Sequence, residues 1–249
     1  MEITDKPSPT GPCEPCLRGK QTCADINKVA DERSEVVLGR IFSDLCEQPT
    51  RSHHGYQHLA TFIDDKSRYV SVAGLRKKSE ALHHLKVFIA HAEVKTGCRT
   101  QTVRSDGGGE YDSKIVTAYL QERGITQELT TPDTPQHNGV AERMNRTLLN
   151  MACSMLDDAK LPESFWFEAV KYAAHIHNAT PTRALDDTTP EEVWSGNKPN
   201  VSRFRVFGAR AFVHIPKKRR TKLSARSMVC VFVGFADNRL AYRLYHRPS

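Results

Sequence analysis

Three acidic residues stand where local structure alone gives little reason for an acid. Asp44 lies inside a strand-like run otherwise built of apolar and small residues. Asp106 ends a short strand and opens the turn Asp106-Gly-Gly-Gly-Glu110. Glu142 falls in the first turn of the longest helical pattern in the chain. Singly, each has a plainer reading: an edge-strand charge, a turn former, and an acid favoured by the positive end of a helix dipole. As a set they have another. Carboxylates that converge in one pocket repel one another and raise at least one pKa unless cations neutralise them. Hard oxygen donors of this kind suit Mg²⁺ or Mn²⁺. Between Asp44 and Asp106 lie 61 residues, and between Asp106 and Glu142 lie 35.

The elements that must position these acids can be read in order. Strands are expected at Val36–Leu45, His58–Ile63 and Tyr69–Leu75, the last two joined as a hairpin through Asp64-Asp65-Lys66-Ser67. Leu85, Phe88, Ile89 and Ala92 recur at i, i+3, i+4, i+7, which predicts an amphipathic helix ending near Gly97. A strand at Thr100–Arg104, a helix from Asp112 to Arg123 and a strand from Ile125 to Thr130 follow. After the loop 131–139 come helices over Val140–Ala159 and from Pro162 to about Asn178. The order predicts an α/β fold, a mixed five-stranded sheet with helices on both faces, followed by a small C-terminal β module. The expected boundaries are a leader at 1–35, a core at 36–180, a connector at 181–200 and the β module at 201–249. On a helical wheel, Val140, Met144, Leu148, Met151 and Met155 form an arc of about 80°, and Glu142 lies about 160° from its middle.

Charge and composition narrow the function. From Arg203 to Ser249 there are 12 Lys and Arg against one acid, Asp237, while the remainder carries 24 basic and 28 acidic residues. A near-neutral body with a basic tail points to a polyanion, foremost nucleic acid, with Lys217, Lys218, Arg219, Arg220 and Lys222 as the contact cluster. The same cluster fits a nuclear-import signal. The longest nearly apolar run, Met228–Ala236, is about half a membrane span, so no membrane partner is expected. The N-terminal residues lack a signal-peptide pattern, and seven scattered cysteines do not make a disulfide framework, which favours a reducing compartment.

The words around the acids narrow it further. Ser43-Asp44-Leu-Cys46, Phe62-Ile-Asp-Asp-Lys-Ser-Arg-Tyr69, Arg104-Ser-Asp-Gly-Gly-Gly-Glu-Tyr111 and Thr131-Pro-Asp-Thr-Pro-Gln-His-Asn-Gly-Val-Ala-Glu-Arg-Met-Asn-Arg-Thr147 resemble the integrase core of copia-type LTR retrotransposon polyproteins. Phe165-Trp166, Thr189-Pro-Glu-Glu-Val-Trp194, Phe204-Arg-Val-Phe-Gly208 and Val231-Phe-Val-Gly234 continue the resemblance, collinearly from about residue 13 to 245. It implies an RNase H-like fold and a D,D-35-E polynucleotidyl transferase, in which Asp44, Asp106 and Glu142 are the catalytic and metal-binding acids. Two Mg²⁺ (or Mn²⁺) ions would sit roughly 3.5–4 Å apart, Asp44 touching both, Asp106 one and Glu142 the other. DNA, as element ends and target, would be the partner, the chain would act as a homo-oligomer, and its site of action would be the nucleus. Arg143 and Arg146 are candidate phosphate contacts. Asn138 is a candidate for either DNA contact or helix cap. Asp64 and Asp65 compete for the role of first acid, but match the family's non-catalytic Asp-Asp-x-Ser-Arg word.

Three departures from the family pattern qualify this reading. Cys13-x-x-Cys16 resembles the end of a His-His-Cys-Cys zinc module, but no histidine precedes His53. The expectation is a truncated module without tightly bound zinc, and nothing in the spacing of Cys23, Cys46, His53 and His54 favours a substitute site. Glu47 replaces the glycine of the family's Asp-x-Cys-Gly-Pro word and adds a charge near Asp44. No protease or reverse transcriptase words occur, as expected for a piece of a polyprotein. The alternative reading is a DNA-binding relic of such an integrase that no longer catalyses.

Overall fold

The computed structural model describes residues 33–106, 113–130, 139–237 and 241–246, and Ser34–Ser249 forms one compact unit. A five-stranded sheet has the order β3-β2-β1-β4-β5, with β1 Ile41–Glu47, β2 His58–Asp64, β3 Val70–Leu75, β4 Thr102–Asp106 and β5 Thr126–Thr130. The first three strands are antiparallel, and β4 and β5 join parallel to β1. Every residue of β2 is buried, as a strand covered on both faces must be.

One face carries α1 Ala81–Thr96 and α2 Lys114–Glu122. The predicted stripe Leu85, Phe88, Ile89 and Ala92 is buried there, and α1 ends at Gly97 in a left-handed conformation. The other face carries α3 Gly139–Ala159 and α4 Trp166–Ala179. The predicted mixed sheet with helices on both faces is therefore what the chain forms.

Three local expectations are corrected. The segment Val36–Arg40 is not strand: Leu38 has φ 63° and donates its N–H to Asp64 Oδ1, so the extended run begins at Ile41. The stretch 181–200 is more than connector. Thr189 caps a short helix, α5 Pro190–Ser195, which buries Trp194 flat against Tyr69 with ring centroids 4.6 Å apart. The expected β module at 201–249 does not open on a strand: after a single helical turn, Phe204–Gly208 inserts Phe207 into the core, and the first strand starts at Arg210.

The C-terminal sheet, β6 Arg210–His214, β7 Ser227–Phe235 and β8 Tyr242–Tyr245, is antiparallel in the order β6-β7-β8. Its Val231, Phe232 and Val233 share one apolar cluster with Leu148 of α3 and Trp166, Val170 and Ala173 of α4. The Tyr172 hydroxyl accepts from the backbone N–H of Arg205 at 3.1 Å and donates to its carbonyl. Gly208, at φ 86°, passes so close to α3 that a Cβ there would lie 2.3 Å from the Ala159 methyl. A charge cluster completes the join. Glu168 on α4, 3% exposed, accepts from Arg243 of β8 at 2.7 Å and meets His54 Nε2 at 2.6 Å. His53 stacks on Phe165, whose other neighbour is Tyr245 of β8. Both histidines are thus engaged in packing the β module.

Removing one partner of a buried ion pair leaves the other charge stranded. Arg243→Ala should lower stability by about 2 kcal/mol, less than the roughly 3–5 lost from a fully buried pair because Arg243 is partly exposed and His54 still reaches the carboxylate. Urea denaturation of the variant against the unaltered chain measures this.

Candidate functional site

The sheet register brings the first two acids together. Ser43 of β1 is level with Ser105 of β4 in a parallel pair, so the next residues along, Asp44 in the middle of β1 and Asp106 at the end of β4, stand side by side. Alternation puts them on the face opposite the two buried serines. That face is the one α3 covers, and α3 carries Glu142 in its first turn.

The wheel expectation for α3 requires correction. Its buried positions are Gly139, Ala141, Asn145, Leu148 and Ala152, with Val140, Met144, Met151 and Met155 only partly covered. The buried stripe is therefore centred about 70° further round than the apolar residues suggest, and Glu142 lies about 90° from its middle. Glu142 stands at the border between packed face and solvent, exposed, rather than opposite the core.

The reason for the rotation is Asn145. One turn after Glu142, it is 5% exposed, donates Nδ2–H to Asp44 Oδ2 at 2.7 Å, and accepts at Oδ1 from the Thr61 hydroxyl at 2.6 Å. Thr61 is the register partner of Asp44 across β1 and β2. A buried chain Thr61–Asn145–Asp44 thus pins the helix to the strand pair and fixes the Asp44 carboxylate. Asn145 is not among the site residues that the sequence singles out. Its signal was present: a polar side chain three residues beyond Glu142 and three before Leu148, where only a partnered amide can be buried.

The charges of the other two acids act on Asp44. Burial raises the Asp44 carboxyl above its ordinary value, and the charges of Asp106 and then Glu142 act in the same direction. The Leu45 backbone N–H and the Asn145 amide oppose them. Oδ1 of Asp106 is itself buried. Among the described residues, no three His, Cys, Asp or Glu side chains are gathered into a ready-made metal cage. The segments 107–112 and 131–138, which adjoin Asp106 and precede Glu142, lie outside the described residues. The donor set fits a hard divalent cation: oxygens only, negative, and with one carboxylate held where ionisation is opposed by its neighbours.

The competing acids are structural. Asp64 is fully buried and accepts from the N–H of Leu38 and from both the N–H and hydroxyl of Ser67, at 2.6–2.7 Å. Asp65 accepts from the N–H of Ser34 and pairs with Arg68 and Arg40. Glu47 is exposed and faces Lys78 at 3.8 Å. Arg143 and Arg146 are exposed on α3, on either side of Asn145 in sequence. Lys217, Lys218 and Arg219 form an exposed turn between β6 and β7, followed by half-buried Arg220 and exposed Lys222. Asn138, Cys13 and Cys16 lie outside the described residues.

The mixed five-stranded sheet with helices on both faces, followed by a three-stranded antiparallel sheet, is the fold that integrase catalytic cores share. Residues 37–135 match the integrase core domain family, and 209–249 match the retroviral polymerase SH3-like domain. The chain thus carries an integrase core and a retroviral SH3-like module. It is 43% identical over 235 residues to the Retrovirus-related Pol polyprotein from transposon TNT 1-94 of Nicotiana tabacum, covering 94% of this chain. It is 31% identical over 241 residues to the corresponding polyprotein from transposon RE2 of Arabidopsis thaliana, covering 95% of this chain. The chain spans only 18% and 16% of those relatives' lengths. Among solved structures, it is similar to a simian T-cell lymphotropic virus intasome in complex with a PP2A regulatory subunit, with TM-score 0.55 and 17% identity over 86% of this chain and 78% of that one. It is also similar to the HTLV-2 integrase catalytic core domain in complex with magnesium, with TM-score 0.50 and 18% identity over 65% of this chain and 99% of that one. At these identities the solved structures establish the shared fold.

A carboxyl raised in the folded state contributes stability that is present at low pH and lost as pH rises through its folded pKa. Asp106→Asn removes one cause of the Asp44 shift while burial remains. Asp44 should then titrate at lower pH, and the variant should lose less stability than the unaltered chain as pH rises through the carboxylate range. Carboxyl carbon NMR titration of Asp44 checks the first outcome and paired thermal melts the second.

Proposed function

We propose that the chain is the integrase segment of a copia-type LTR retrotransposon polyprotein and joins element DNA to target DNA by phosphodiester transesterification. The observation that carries this reading is the parallel register that sets Asp44 beside Asp106 beneath the helix whose first turn bears Glu142.

In this reading Asp44, Asp106 and Glu142 hold divalent cations, Mg²⁺ or Mn²⁺, as their oxygen-only donor set allows. Bound there, the cations supply charge neutralisation and polarise the attacking and leaving oxygens of an in-line phosphoryl transfer. The chain's own part is positional. Asn145 orients the Asp44 carboxylate through the amide hydrogen bond, and Thr61 fixes the amide in turn. Arg143 and Arg146, exposed on the helix that bears Glu142, are placed to take phosphates. The DNA 3′-hydroxyl attacks a target phosphorus, and the 3′-oxygen of the broken bond leaves. The basic turn at Lys217–Lys222 holds DNA without sequence preference, with a role in nuclear import as a second use. Action as a homo-oligomer follows by analogy with the intasome and with the dimeric and trimeric forms of the HTLV-2 core.

Purified chain, paired element-end oligonucleotides, target DNA and Mg²⁺ or Mn²⁺ should give joined products. Asp106→Asn should reduce these to background, and Asn145→Ala should lower them while costing about 1–3 kcal/mol for the polar groups it strands. DNA retention with no joined product from the unaltered chain would instead identify a binding relic.

Affinity for duplex DNA should fall steeply with salt. Neutralising Lys217, Lys218, Arg219, Arg220 and Lys222 together should flatten the log–log slope by up to about 4–5, since each phosphate contact contributes about 0.9. Fluorescence anisotropy across a salt series reads this, and an unchanged slope would remove the turn from the DNA contact set.

A further inference from the structure

The connection between β6 and β7, Pro216–Arg226, carries six Lys and Arg, no acid and two hydroxyl side chains, Thr221 and Ser224. The basic residues serve the DNA contact proposed above; the hydroxyls have no part in it. From the surroundings of these hydroxyls we infer that Thr221 is a phosphorylation site for a basophilic protein kinase, and that its phosphate switches off the loop's hold on DNA. The switching half rests on the proposed DNA role of this loop; the modification half does not.

Accessibility comes first. Every residue from Thr221 to Val229 is exposed, and Leu223 is 99% exposed, so the loop stands clear of the body on the C-terminal side of the acceptor. On the N-terminal side the backbone is held by one turn, in which Arg219 and Arg220 donate to the carbonyls of Pro216 and Lys217. Arg220 itself is already extended, at φ −139° and ψ 151°. A kinase that binds an extended segment has this turn and the adjoining Thr221–Ser224 turn to open, both at the surface.

Charge and hydrogen bonding then select the acceptor. Thr221 is preceded directly by Lys217-Lys218-Arg219-Arg220, which places cations at each of the four positions an acidic kinase cleft reads before its acceptor. Ser224 lacks that run, and its hydroxyl donates to the Thr221 carbonyl at 3.1 Å. Among the described residues no hydrogen bond engages the Thr221 hydroxyl.

The reaction balances with a nucleoside triphosphate as the kinase's co-substrate. The Thr221 oxygen bonds to the γ-phosphorus, the bond from that phosphorus to the β,γ-bridging oxygen breaks, and the hydroxyl proton passes to the kinase's base. The products are the phosphothreonine and the nucleoside diphosphate. The new group brings a charge of about −2 into a loop of six cations and offers acceptor oxygens to the adjacent Arg219, Arg220 and Lys222. Cations paired to it no longer release counterions from DNA phosphates.

The test incubates the full chain with the catalytic subunit of a basophilic kinase and Mg²⁺–ATP. Tandem mass spectrometry locates the phosphate, and anisotropy on a duplex oligonucleotide measures affinity. Phosphate at Thr221, its loss in Thr221→Ala, and a weakening of DNA binding of roughly tenfold near physiological salt are expected. No phosphate at Thr221, or phosphate on Ser224 alone, overturns the site. Phosphate at Thr221 with unchanged affinity overturns the switch. If the unphosphorylated chain fails to bind the duplex, the DNA role of the loop has failed, and the switch with it, while the mass spectrum still decides the modification.

Discussion

Parallel pairing of β1 with β4 is the constraint from which the site follows. It sets Asp44, midway along β1, beside Asp106 at the end of β4, where two carboxylates repel and where partial burial makes the repulsion costly. That arrangement is unfavourable for a fold with no further purpose. It persists because the surroundings over-determine it: β2 is buried from end to end, and Asn145 ties the helix to the strand through a hydrogen bond on Asp44 itself.

The second constraint is the shared core of the sheet's α3–α4 face. Its apolar residues come from both the integrase core and the C-terminal sheet, so the SH3-like module is joined to the body by packing as well as by chain. Glu168 is buried at that junction with Arg243 and His54 around it, and Lys171 beside them is lowered by burial to about 8, its partner Asp237 lying just beyond β7. A basic loop on a module held in this way keeps a fixed relation to the elements that carry the acids.

Much of this was legible in the sequence, and the exceptions share a cause. The hairpin, the α1 stripe and the acids' own elements were readable because each rests on local chemistry: turn formers between apolar runs, a 3.6-residue repeat, an acid in an otherwise apolar strand. The apolar residues of α3 do not mark its buried face, because only the tertiary partners Thr61 and Asp44 make the amide of Asn145 a core group. Val36–Leu38 read as strand because its residues favour one, yet the Asp64 carboxylate draws the Leu38 N–H into a turn. The stretch 181–200 read as connector because its prolines and glycine mask a helix only six residues long, held by a tryptophan stacked on a distant tyrosine.

That stacked tryptophan has an optical consequence. The chain has two tryptophans, and the sheet separates them: Trp194 lies with Tyr69 in the α1-side cluster, while Trp166 lies in the α4-side cluster with its indole N–H donating to the Thr50 carbonyl. Each half of the molecule therefore carries its own intrinsic fluorophore. Emission from Trp166 reports on the layer that the SH3-like module closes, and emission from Trp194 on the opposite layer, so a single Trp→Phe replacement suffices to watch either one alone.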